Sequence, residues 1–186
     1  ETPYIAFAGP TTKAAINALK GIPSTSLYPF LTYDNSKASN GSAMKIGPVG
    51  LVNPGNLDKA IADTITICMP THGNNLALSG GCAVAAAVAK AMEDGTTVDD
   101  IVEAGLYGAK IGYEEGSKVG KTLAGPTVYK RILLAAEIGK KSKDVYEAMI
   151  ELEDVIGGGL HVSEAVPSAF GLIVAAKGHP LESIYG

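Results

Sequence analysis

The segment Leu76–Met92 constrains this chain most. It reads as one helix, closed by Asp94-Gly95, and it has no polar face. Gly80, Gly81, Ala83, Ala85, Ala86, Ala87 and Ala89 are spread over nearly every side, with Leu76, Leu78, Cys82, Val84 and Val88 between them. A helix that is apolar all round belongs in the interior. At 17 residues, with an unbroken apolar run of only Cys82–Ala89, it is too short to serve as a membrane span, which needs about 20 apolar residues. The rest of the chain is therefore expected to wrap around it.

The flanking sequence supplies suitable partners. Apolar residues at helical spacing mark segments at Ala14–Leu19, 58–69, Ile101–Tyr113, Tyr129–Ile138, Lys143–Leu152 and Ser163–Ala176, with Pro180-Leu181 opening a last short one. Pro10-Thr11-Thr12 and Thr97 with Asp99-Asp100 read as helix starts, and Gly21 reads as a stop. Asn56 or Asp58 is expected to start the second helix and Pro70 to end it. Residues 22–56, rich in Pro, Gly, Ser and Asn, keep no helical period and read as a long irregular connection of a kind that often carries function. No set of period-2 runs with hairpin turns occurs, so the class is all-α, in a single domain over 1–186.

Composition fits that packing and removes several functions. Of 186 residues, 23 are Gly and 26 are Ala, whereas Trp is absent and Phe occurs only 3 times. The core must be built from small and aliphatic side chains. A charged fraction of 18% against 46% hydrophobic residues excludes a disordered chain. The net charge is −4, and Arg131 is the single arginine beside 14 lysines, which excludes an Arg-rich nucleic-acid surface. Cys68 and Cys82 lie in apolar surroundings and read as buried thiols in a reducing cytoplasm.

Three short segments carry polar chemistry. Ser39-Asn40-Gly41-Ser42-Ala43-Met44-Lys45 places small residues where backbone amides can face an anion. Thr71-His72-Gly73-Asn74-Asn75 joins two helices; its histidine and asparagines suit a sugar or phosphate, or serve as helix caps. Gly157-Gly158-Gly159-Leu160-His161-Val162-Ser163-Glu164 combines three glycines with a histidine at a helix start, and reads equally as a close approach to a flat ligand or as a connector. Glu147, Glu151 and Asp154 share a helix face in a stripe that resembles a metal site but reads as a solvated face. No carboxylate pair, Ser-His-Asp order or Cys/His metal spacing stands out.

In their order and spacing these segments resemble the ADP-ribosylglycohydrolase family, which also includes crystallin-like members. The carriers are Asn40-Gly41-Ser42-Ala43-Met44-Lys45, Thr71-His72 leading into the Ala-rich helix, and Gly157–Phe170, with Pro3–Lys20 similar to a bacterial subgroup. The resemblance covers nearly the whole chain. It implies an orthogonal multi-helical bundle that binds ADP-ribose in a cleft. It also implies two Mg²⁺ ions that position a water for cleavage of an N- or O-glycosidic bond in an ADP-ribosylated protein side chain or a related compound. Carried over, Asn40, Gly41, Ser42 and Met44 line the pyrophosphate or ribose. His72, Gly73 and Asn74 touch the phosphate or distal ribose, and Gly159, Leu160 and His161 lie toward the adenine. Catalytic residues stay unassigned. The family's metal-binding strings TDD and DTDT do not occur in the chain, and Lys45 stands where Arg is usual. The expectation is therefore the middle of such a domain, lacking the metal-binding segments at both ends. A metal-free ADP-ribose-binding module, a crystallin-like structural protein, or a chain completed by a second polypeptide are the alternatives.

Overall fold

The computed structural model describes residues 9–22 and 37–185. Among them are ten helices, α1 (Pro10–Leu19), α2 (Gly41–Met44), α3 (Gly47–Leu51), α4 (Leu57–His72), α5 (Asn75–Ala91), α6 (Val98–Val119), α7 (Val128–Lys141), α8 (Val145–Val155), α9 (Val162–Ala175) and α10 (Pro180–Tyr185). The described residues form no strand, only two isolated bridges, Ser39 with His161 and Asn74 with Lys121. The fold is an all-α bundle.

Helix α5 is the axis, as its composition requires. Leu76, Leu78, Cys82, Ala83, Ala85, Ala86 and Ala89 have no exposed surface. Its partners α2, α3, α4, α6 and α9 surround it, with α6 in the most extensive contact. That contact depends on a glycine stripe. Gly108, Gly112 and Gly116 of α6 lie against Cys82, Leu78 and Asn75 of α5, and Gly105, one turn earlier, lies against the Phe170 ring of α9. A Cβ at Gly108 would stand 2.3 Å from the Cys82 carbonyl oxygen, and one at Gly112 would stand 2.8 Å from that of Leu78. The two backbones touch where side chains would hold them apart. The second close pairing, α7 on α9, uses Gly139 against the Gly171 carbonyl in the same way.

Polar groups fix the register of this small-residue core. Fully buried Asn75 donates to the Leu123 carbonyl at 3.2 Å and accepts from the Leu123 amide at 2.9 Å, strapping the segment after α6 to the start of α5. Ser79 donates to the Ala109 carbonyl at 2.7 Å. Arg131 spends its guanidinium on the carbonyls of Ile156 and Ser163, joining the end of α8 to the start of α9. Thr97 and Asp100 form the reciprocal cap of α6.

The observed elements depart from the sequence expectations in three places. Helix α4 continues through Pro70 to His72. Proline there removes one backbone bond in the final turn, and tertiary bonds from Thr71, His72 and Gly73 hold that turn. Helix α6 runs six residues past Tyr113, because Gly116 continues the glycine stripe where the apolar pattern stops. The irregular stretch 22–56 contains α2 and α3, each too short to show a period; residues 23–36 lie outside the described residues. Cys68 and Cys82 are free and buried, and burial pushes both thiols above their ordinary range. No helix among the described residues is long and apolar enough to cross a membrane.

Candidate functional site

The three polar segments, separated in sequence by some 30 and 90 residues, meet at one end of α5. Ser39 pairs with His161, the Asn40 amide donates to the Leu160 carbonyl at 2.8 Å, and the Val162 amide donates to the Ala38 carbonyl at 2.8 Å. The first and third segments thus run side by side. The second reaches the first through His72, whose Nε2 lies 3.1 Å from Ser39 Oγ. Gly41 admits this contact, since a Cβ there would stand 2.6 Å from the same nitrogen. Asn74 completes the seam by donating to the Lys37 carbonyl at 3.1 Å.

Within this cluster the sequence-derived candidates divide into two groups. Asn40, Gly41, Met44, Gly159, Leu160 and His161 lie at or near the surface, Met44 and Leu160 with most of their area open. Ser42, Gly73 and Asn74 are committed to the scaffold. Ser42 is fully buried and donates to the Ala77 carbonyl at 2.7 Å. Asn74 caps α5 by accepting from the Ala77 amide at 2.8 Å. Gly73 follows α4, and its carbonyl accepts from the Lys121 amide. The expected cradle of amides in the first segment is reduced: those of Asn40, Ala43 and Met44 are spent on protein carbonyls.

His72 is buried among these groups. Its Nδ1 lies 2.7 Å from Thr71 Oγ1, and Lys45 Nζ donates to that same oxygen at 2.7 Å. Burial first, and the Lys45 charge second, bring its pKa down to about 4, so the ring is neutral at pH 7. His161 caps α9, its Nδ1 accepting from the Ser163 amide at 3.2 Å. A neutral ring accepting at Nδ1 carries its proton on Nε2. In the third segment Glu164 Oε2 accepts from the Gly159 amide at 3.1 Å and fixes the glycine turn.

Beside the cluster opens a feature that sequence reasoning missed. A cleft of about 450 Å³ lies between α2, α5, α6 and α9, walled by Ala43, Met44, Val84, Val88, Val166 and Phe170. Asn40 sits in its wall as the one polar residue. Its side chain makes no capping hydrogen bond to α2 and brings one donor group and one acceptor to the cleft wall. Phe170 and Ala169 follow directly from the third segment, and only the helical phase of α9 could have pointed to them. A shallower hollow of about 600 Å³ lies elsewhere, at Asp58, Glu93 and Tyr107, where the Tyr107 hydroxyl donates to Asp58 Oδ1 at 2.6 Å.

The described residues hold no group of three or more His, Cys, Asp or Glu side chains placed to bind a metal ion. Glu147, Glu151 and Asp154 are all exposed on α8. A pair of Mg²⁺ ions does not fit the donors present among them.

The family model described as ADP-ribosylglycohydrolase matches residues 4–185. The chain is also 29% identical over 174 residues to the uncharacterized protein YegU of Escherichia coli (strain K12), an alignment that takes in 92% of this chain and 49% of that protein. The chain thus spans about half the length of the curated relative it matches. No solved structure matches it.

Proposed function

Because the chain belongs to the ADP-ribosylglycohydrolase family, we propose that its three converging segments and the adjoining cleft bind an ADP-ribose-containing substrate of a glycosidic-bond hydrolase. The observation that carries this reading is that Asn40 lines an apolar cleft, while its backbone is bonded to Leu160 and its neighbour Ser39 meets both His161 and His72. A nucleotide needs both halves of such a surface. The cleft suits a flat base, and its volume falls in the usual range for small-molecule pockets. Asn40 supplies a donor and an acceptor at its edge. The polar seam beside it suits ribose hydroxyls and phosphate oxygens. Arg131 is tied to two carbonyls, so phosphate recognition falls to neutral donors and to lysines.

Mg²⁺ dependence is part of the family expectation. Its ligands would come from outside the described residues. A metal-free binding module is the second reading, favoured by the lack of a clustered donor set among the described residues.

Calorimetry with ADP-ribose, followed by hydrolysis assays with Mg²⁺ and with EDTA, separates these readings. Micromolar to millimolar binding is expected, with Asn40→Ala weakening it about 2- to 10-fold, the worth of one neutral hydrogen bond. Turnover abolished by EDTA supports the hydrolase, and binding without turnover in either condition supports the module. No binding of ADP-ribose contradicts both.

A further inference from the structure

The polar groups behind the cleft form a hydrogen-bond chain with a direction. Lys45 Nζ can only donate, so Thr71 Oγ1 accepts from it at 2.7 Å. The single Thr71 hydroxyl proton has two acceptors within reach: His72 Nδ1 at 2.7 Å and the Cys68 carbonyl at 3.5 Å. The longer distance lies at the limit of hydrogen bonding. A hydroxyl already accepting from a cation is also a stronger donor and a poorer second acceptor. The proton therefore belongs to Nδ1. A neutral ring that accepts at Nδ1 carries its proton on Nε2, which faces Ser39 Oγ at 3.1 Å. Ser39 Oγ accepts there, which leaves its own hydrogen to turn away from His72. Ser39 is half-buried and held by its bridge to His161, so this hydroxyl has a fixed place between the first and third segments.

We infer that Lys45, Thr71 and His72 form a one-way chain that makes the Ser39 hydroxyl a positioned donor to an anionic ligand oxygen of the phosphate class. Lys45, Thr71 and His72 act as positioning residues, and Ser39 makes the contact. A hydroxyl donating to a phosphate oxygen forms a charge-assisted bond, and the cation at the far end polarises every link toward it. His72 stays neutral for the same reasons that lower its pKa, burial and Lys45. The identity of the ligand rests on the ADP-ribose reading; the direction of the chain does not.

Two measurements on the full chain test this. Two-bond ¹H–¹⁵N correlation spectra at pH 7 report the tautomer of each histidine, and His72→Gln assigns the His72 signal. The expected result is the Nε2–H form for His72. Lys45→Met and Thr71→Val should each raise its Nδ1–H population and leave His161 and His179 unmoved. An Nδ1–H form, or an equal mixture, in the unaltered chain overturns the inference. Calorimetry with ADP-ribose and with inorganic pyrophosphate tests the donor. Ser39→Ala should weaken both about tenfold or more, the range for a hydrogen bond to a charged group. If Ser39→Ala fails to fold, Ser39→Gly serves in its place. Equal affinity in the folded variant overturns the inference alone. Failure of the unaltered chain to bind either probe overturns the ADP-ribose reading and the donor role together, while the spectra still decide the direction.

Discussion

Substituting Gly108 by Ala tests the principle on which the bundle is built. The added Cβ would stand 2.3 Å from the Cys82 carbonyl oxygen and 2.8 Å from Ala86 Cβ. The first distance is about 1 Å short of an ordinary contact. The obstructing atom is backbone in a buried helix, so no rotamer change relieves it and α5 must move off α6. Overpacking of this kind costs about 1–3 kcal/mol, and rigid backbone places this case at the upper end. Against it stands a gain of about 1 kcal/mol, since Ala is the better helix former. The net is a loss of roughly 2 kcal/mol, or a fall in Tm of about 4–8 °C for a chain of this size. Urea denaturation followed by circular dichroism reads it directly, provided the m-value is unchanged. Gly47→Ala is the control. It sits in α3 with nothing within 4 Å of the new Cβ, so it should leave stability unchanged or slightly raised. A Gly108→Ala protein as stable as the unaltered chain would refute the close-approach account of α5 and α6.

Other outcomes follow from the buried polar groups. Asn75→Ala should cost about 2–4 kcal/mol in the same denaturation assay, because it strands the buried amide and carbonyl of Leu123; a loss below 1 kcal/mol would show that water or a shift of the segment replaces them. His72 has a folded pKa of about 4 against 6.5 for a free histidine, so the unfolded chain binds the proton first as pH falls. Its contribution to stability is therefore present above pH 6.5 and declines between 6.5 and 4. His72→Gln should flatten the pH dependence of unfolding in that window, and an NMR titration midpoint near 6.5 would contradict the burial of the ring.

What was legible in the sequence follows physical lines. The Ala-rich α5 announced itself, because a helix without a polar face has only one place to go. The cap of α6 was written in Thr97 and Asp100, and the cap of α5 in Asn74, since these bonds span three residues. The α5–α6 stripe was visible as Gly105, Gly108, Gly112 and Gly116, spaced three or four apart, but a count of apolar residues passes over glycine, which contributes by absence. The end of α4 is not legible because Pro70 is a local signal and the bonds that override it are not: Lys45 and Ser39 are 26 and 33 residues from their partners. The three polar segments were legible one by one. Their convergence was not, because the Ser39–His161 bridge and the Ser39–His72 contact exist only once α9 and α4 pack on α5. Asn74 and Ser42 show the converse. Their polar groups invite a ligand role in sequence, and the packed structure turns both inward.

The central claim is that one ligand surface is shared by these three segments and the cleft. Amide chemical-shift mapping of the chain on addition of ADP-ribose tests it most directly. Asn40–Met44, His72 and Gly159–His161 are expected to shift together with Val166 and Phe170 of the cleft, along a single saturation curve. Shifts confined to the hollow at Asp58, Glu93 and Tyr107, or none up to millimolar ADP-ribose, would contradict it.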